Sequence, residues 1–173
     1  LEEELHNINP DLEVSYTTDV DEALKTSKII ISASGAVEAL IKPQNILPGS
    51  IICDVARPRD VAALVASERD DVLVIEGGIV KVPGEVNFNF NFGYPPGTAY
   101  ACMAETMLLT LEERFEDYSL GQEIELEKVA EIIIMAEKHG FKLAGLRSFE
   151  RALTEEKISE IKKEAEKSQL VTC

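Results

Sequence analysis

The sequence predicts an α/β protein: a parallel sheet first, helices after it. Three short β-branched runs recur at intervals of about 20 residues with helical patterns between them, the signature of repeated β-α units. The second half carries long stretches of helical periodicity. Composition agrees. The 173 residues are 45% hydrophobic and 28% charged, the balance of a folded globular chain of one ordinary domain or slightly more.

In chain order, Leu1 to Ile8 reads as the tail of a crossover helix. Leu12-Glu13-Val14-Ser15-Tyr16 alternates at period two and predicts a strand. Thr18-Asp19 caps a short helix through Val20, Ala23 and Leu24. Lys28 to Ala33 is a continuous apolar run, as expected of a strand buried on both faces. Ile51 to Val55 is a second, introduced by Pro48-Gly49, and Val72 to Ile75 is a third, after a helix expected from about Asp60 to Ser67. Val86 to Phe92 alternates strictly, with Phe88, Phe90 and Phe92 on one face, and predicts an edge strand or extended hairpin. Helices are expected at about Thr98 to Glu116, Leu126 to Lys138 ending at Gly140, and Glu155 to Lys167 with Thr154 as N-cap.

A dinucleotide-binding sheet opens with strand, glycine-rich turn and helix, whose amides cradle a pyrophosphate. Here the first glycine is Gly35, so that unit is missing. The expectation is a chain that begins partway through a domain: residues 1–97 a partial NAD(P)-binding, Rossmann-like, doubly wound sheet lacking its first β-α-β unit, residues 98–173 a helical segment packed on it. In that plan Leu12 to Tyr16 lies about two strand positions from Lys28 to Ala33, and Ile29-Ile30-Ile31 forms an unpaired hydrophobic edge.

Charge narrows the function. Acids outnumber bases 32 to 17, a net charge of −15 that repels phosphate backbones and anionic membranes. No apolar run reaches the roughly 20 residues of a membrane span, and Leu1 to Leu5 does not open a signal peptide. Three scattered cysteines make no disulfide framework and suit a reducing cytoplasm; two histidines and no CxxC offer little for zinc.

Small or polar clusters follow each buried strand: Ser32-Ala33-Ser34-Gly35, Asp54-Val55-Ala56-Arg57-Pro58 and Glu76-Gly77-Gly78. Each alone makes a turn; three together at the carboxyl ends of adjacent strands equally suit a groove where a flat ring approaches backbone. Cys102 lies about one turn into the first long helix, nearly opposite the apolar stripe of Tyr100, Ala104, Met107, Leu108, Leu111 and Phe115. It is either a small packing residue or a nucleophile favoured by the helix N-terminus. Cys53 belongs to a core strand, and Cys173 has no site around it. His139 complements a helix end or donates protons, and Arg57 and Arg59 hold an anion or are simply solvated.

Three segments carry a resemblance: Glu76-Gly77-Gly78-Ile79-Val80, then Tyr100 to Leu109, then Lys138-His139-Gly140-Phe141. In this order they resemble the C-terminal half of the cyanobacterial long-chain acyl-[acyl-carrier-protein] reductases, or a close bacterial relative. The resemblance implies an NADPH-dependent reduction of fatty acyl thioesters to aldehydes through a cysteine acyl-enzyme, with NADH also compatible. It implies Cys102 as nucleophile, and Ala33, Ser34, Asp54, Gly77 and Gly78 on the cofactor side. Its partners would be acyl carrier protein or acyl-CoA in the cytoplasm. Two other classes stay open: a Rossmann dehydrogenase of the shikimate or amino-acid dehydrogenase type without covalent catalysis, and a binding module without cofactor.

Overall fold

A computed structural model describes residues 2–90, 93–121 and 124–171. It is a mixed α/β protein in which a three-stranded parallel sheet is followed by C-terminal helices, a partial Rossmann-like arrangement. Strands β1 (Ile29–Ser32), β2 (Ile51–Asp54) and β3 (Leu73–Glu76) lie side by side in that order, with Ile29 opposite Ile51 and Ile51 opposite Leu73. All three apolar runs therefore become strands, and their polar ends, Ser32, Asp54 and Glu76, line up in one row.

One face of this sheet packs a core of Leu24, Ile41, Ile46, Ile52, Val61, Val65, Val72 and Val74. The other face stays open at β1, where Ile29 and Ile31 are 78% and 76% exposed. Among the described residues β1 has one ladder partner, β2, so the expected hydrophobic edge is present.

Helix α1 (Glu2–Ile8) opens the chain, and α2 (Val20–Leu24) is capped by the Asp19 carboxylate, which accepts from the Glu22 amide at 3.1 Å. Between them the expected strand at Leu12 to Tyr16 does not form. The segment is irregular and Tyr16 is wholly in solvent, so the alternation has no face to bury and no strand to pair with. The expected helix from Asp60 is also shorter: α3 spans Val65–Glu68. Residues 60–62 instead form a bridge with Ile41, whose amide donates to the Asp60 carbonyl while its carbonyl accepts from Ala62.

After β3 the chain turns through Gly77-Gly78 into a second, antiparallel sheet: β4 (Ile79–Lys81) between β5 (Thr98–Tyr100) and β6 (Lys142–Leu143). None of the three was expected. Helices α4 (Ala101–Leu111) and α5 (Leu126–His139) follow β5. Val82, Ala99, Ala104, Leu108, Leu109, Tyr118, Met135 and Phe141 form the second core. It also draws Val80, Val86 and Phe88 from ahead of residue 97.

The expected helix from Thr98 thus begins three residues later, because Thr98 to Tyr100 pair with β4, and it ends at Leu111, with Glu113 in the left-handed region. Leu111 and Phe115 consequently leave the apolar stripe for solvent, and Leu109 takes a buried place. The expected strand at Val86 to Phe92 is a loop over its described part. There the Asn87 side chain accepts from the Asn89 amide, and Asn89 turns to φ 51°. This side-chain turn outcompetes the ladder that the alternation suggested. Phe92 lies outside the described residues.

Helix α5 ends as its sequence requires. Gly140 adopts φ 80°, and the Phe141 amide donates back to the Ala136 carbonyl at 2.9 Å. A hairpin of β7 (Arg147–Ser148) and β8 (Arg151–Ala152) packs against β3. Last comes α6 (Glu155–Val171), capped by the Thr154 hydroxyl, which accepts from the Lys157 amide at 3.2 Å. No helix among the described residues is long and apolar enough to cross a membrane.

Candidate active site

The carboxyl ends of β1, β2 and β3 form a ledge. Buried carboxylates hold it from below. Asp60 accepts from the hydroxyls of Ser32 and Ser34 and from the Ser34 amide (3.0 Å), which ties the end of β1 to the loop after β2. Burial tends to raise the Asp60 pKa, but these three donors outweigh it and hold the carboxyl below the ordinary aspartate value. Asp54 accepts from the Ala56 and Val61 amides, each at 3.0 Å, and so fixes the loop that carries Arg57, cis-Pro58 and Arg59. Glu76 accepts from Arg59 at 2.6 Å and from the Glu150 amide at 2.7 Å, docking the β7–β8 hairpin beside β3. Arg59 also donates to the Glu150 carboxylate, and the two acids raise its pKa against the opposing effect of burial.

These contacts sort the expected cofactor-side residues. Ala33 and Gly78 are exposed on the ledge. Ser34 is half-buried, and both its hydroxyl and its amide are committed to Asp60, so it shapes the ledge. Asp54 is buried with both carboxylate oxygens satisfied by backbone, so it shapes the ledge from within. Gly77 is required by packing: a Cβ there would stand 2.3 Å from a Val55 methyl. Gly78, at φ 79°, makes the turn toward the second sheet.

The two halves of the molecule meet at that turn. The Ala101 amide, first in α4, donates to the Gly78 carbonyl at 2.8 Å, and Tyr100 lies opposite Ile79 in the antiparallel ladder. The start of α4 is therefore seated against the end of β3. Cys102, the next residue, is exposed, whereas Cys53 is half-buried in β2. Tyr100, the N-cap, gives no side-chain cap, so the following amides of the first turn have no acceptor within the helix.

The ledge has the openness that a nicotinamide ring would need. Ala33 and Gly35 are small and exposed, and positions 35 and 78 have open space where a side chain would stand. The pyrophosphate end does not find its usual cradle, for no glycine-rich strand-to-helix turn occurs among the described residues.

His139 lies away from the ledge, against Glu112, which also accepts from Lys138 at 2.7 Å. These two partners draw the Glu112 pKa down. Sequence reasoning missed the tie from Ala101 to Gly78, the Glu76–Arg59–Glu150 cluster and the hairpin that completes it. Their signals are single acids and a two-residue turn, which carry no periodicity.

The geometry thus describes a partial Rossmann-like protein in which an exposed thiol, Cys102, follows the residue that is tied to the turn after β3. No family model matches the chain. It is 35% identical over 156 residues to the aminotransferase PigE of Serratia sp., covering 87% of this chain and 18% of that protein. It is 25% identical over 146 residues to the long-chain acyl-[acyl-carrier-protein] reductase of Synechococcus elongatus, covering 81% of this chain and 42% of that protein. The chain therefore spans less than half the length of either relative, and both relatives are named as enzymes. The reductase seen in the sequence motifs reappears at low identity; the aminotransferase match is higher and was not anticipated.

Proposed function

We propose that this chain is the catalytic-cysteine part of an NAD(P)H-dependent reductase that converts fatty acyl thioesters, carried on acyl carrier protein or coenzyme A, to aldehydes. The observation that supports the reading is the Ala101–Gly78 hydrogen bond, which joins the start of α4, one residue before the exposed Cys102, to the turn after β3. The similarity to acyl-[acyl-carrier-protein] reductase supports it.

The Cys102 thiolate attacks the thioester carbonyl carbon. The amides of Cys102 and Met103, which follow the bonded Ala101 amide and have no acceptor within α4, are the donors for the oxygen as it gains charge, and the helix dipole acts in the same sense. When the carbon–sulfur bond to the carrier breaks, the carrier thiolate leaves and takes up a proton, and the acyl group remains on Cys102. Reduction to the aldehyde requires a hydride, the chemistry NADPH supplies when its ring is seated by Ala33, Ser34, Gly35 and Gly78. Loss of the aldehyde returns Cys102 as a thiolate. Gly77 lets Val55 pack flat over β3, and Asp54 and Asp60 hold the loops that surround the ring.

In this reading residues 1–97 hold the partial cofactor domain and residues 98–173 the helical segment that delivers the thiol. The second reading, aminotransferase chemistry, rests on the match to PigE, of which this chain covers 18%.

Intact-mass spectrometry after incubation with an acyl-CoA tests the mechanism. The expected result is one acyl adduct, absent from Cys102→Ser and retained in Cys53→Ser. An unmodified wild type, or an adduct that survives Cys102→Ser, overturns it.

A further inference from the structure

Basic residues are scarce in this chain, 17 against 32 acids, so a guanidinium without a carboxylate is informative. Three of the six arginines pair with acids: Arg59 with Glu76 and Glu150, Arg69 with Asp71, Arg114 with Glu116 and Glu131. Arg57, Arg147 and Arg151 meet no carboxylate among the described residues; Arg151 is exposed, whereas Arg57 and Arg147 both lie against the same ring, Tyr94. Arg57 donates to the Tyr94 hydroxyl at 3.0 Å. Arg147 lies over the Tyr94 ring, 5.6 Å from its centroid, and donates to the Glu150 carbonyl.

Arg147 is built into the fold rather than left at the surface. The residue is only 9% exposed, and its Nε is the one buried side-chain nitrogen or oxygen, among the described residues, with no hydrogen-bond partner. A guanidinium keeps its charge, and an unfilled buried N–H is unfavourable, so this position is arranged to receive an acceptor. The pair also borders the candidate site. Arg57 follows β2, and Tyr94 stands edge-on to Tyr100, 5.7 Å between centroids, the residue that caps α4.

We propose that Arg57 and Arg147 form a binding site for a phosphate group of the ligand that enters the groove. Tyr94 separates the two guanidiniums, and displacement of its ring opens both to an oxyanion. Paired guanidiniums supply the fixed, multiple donors that phosphate oxygens favour. The inference rests on the thioester-reductase reading, since both of that reaction's ligands, NADPH and the phosphopantetheine carriers, bear phosphates.

The experiment measures binding of inorganic pyrophosphate to the full chain by calorimetry. It compares wild type, Arg57→Ala, Arg147→Lys and the exposed control Arg151→Ala. The lysine variant keeps the buried charge should Arg147→Ala fail to fold. Loss of a charge-assisted donor set weakens binding by about tenfold or more. That loss is expected in both site variants and not in Arg151→Ala. Absence of pyrophosphate binding in wild type, or equal affinity in all four proteins, overturns the proposal.

Two further arms identify the source. A carrier phosphate is assigned if Arg57→Ala slows acylation of Cys102 by acyl-CoA at least tenfold more than acylation by the phosphate-free N-acetylcysteamine thioester. A dinucleotide phosphate is assigned if the larger loss falls on NADPH affinity. Failure of both thioesters to modify Cys102 removes the reductase reading, while the pyrophosphate titration still decides the site.

Discussion

The parallel half and the helical half of this molecule place their charges differently. Every buried acid among the described residues, Asp54, Asp60, Asp71 and Glu76, belongs to the parallel half. Each is met by backbone amides, hydroxyls or an arginine. The half built on α4 and α5 buries no acid among its described residues. Its carboxylates pair at the surface, Glu131 with Arg114 and Tyr118, Glu112 with Lys138 and His139. The tie from Glu131 is strong enough to push the Tyr118 pKa up to about 12, aided by partial desolvation. One half is therefore pinned by polar groups where strands end in a ledge, and the other is held mainly by apolar packing. The loops around a ligand groove cannot be filled with leucine, so internal carboxylates fix them instead.

The sharpest way to break this comparison is to remove a carboxylate from each half. Asp54→Ala leaves the buried Ala56 and Val61 amides without acceptors and should cost about 2–5 kcal/mol. Glu131→Ala opens an ion pair in contact with water and should cost clearly less. Urea denaturation of both variants measures the difference. Equal losses would mean that the internal acids do not pin the strand ends.

Acid should separate the halves by a smaller margin, since titration removes only part of a carboxylate's contribution. The folded pKa of Asp60 lies below its unfolded value. Its stabilisation is therefore complete above the unfolded value of about 3.9 and is lost as pH falls through the folded one. Hydrogen-exchange protection of β1 and the 54–61 loop should thus fall by more, as pH drops through the carboxylate range, than that of α5. Glu131 of α5, and Glu112 against its end, are also held below the ordinary glutamate value, but they pair in contact with water and contribute less. The comparison fails if α5 loses as much protection.

The same contrast explains what could be read from sequence. The three parallel strands were legible because unbroken apolar runs mark the strands of a parallel sheet, and Ile29-Ile30-Ile31, Ile51-Ile52 and Val72 to Ile75 supply them. The expected burial of β1 on both faces is not found, since Ile29 and Ile31 are exposed. The end of α5 was legible because Gly140 must occupy the left-handed region. The antiparallel strands were not: two or three residues are too few to set a period, and Thr98 to Tyr100 look equally like the start of α4. Leu12 to Tyr16 and Val86 to Phe90 show the reverse case, alternation without a partner. For the candidate site, the sequence indicated the residues at the strand ends and Cys102. It could not indicate that the Ala101 amide bonds to the Gly78 carbonyl, or that Arg57 and Arg147, 90 positions apart, share a tyrosine.

The smallest expected effect on stability tests the ledge most cleanly. Gly78 is a poor place to add bulk, because its φ of 79° strains any side chain and confounds folding with binding. Gly35 has no such constraint. It is exposed on the ledge, and a Cβ there meets nothing within 4 Å. Gly35→Val should change stability by no more than about 0.5 kcal/mol, as at an open surface position. Its methyl groups would nevertheless project into the space assigned to the nicotinamide ring, so NADPH affinity, read by fluorescence titration, should fall. Ala130→Val, equally exposed on α5, adds methyl groups far from the ledge and should leave that affinity unchanged. If Gly35→Val binds NADPH as wild type does, the ring is not seated at the end of β1. The parallel half would then owe its buried acids to folding alone.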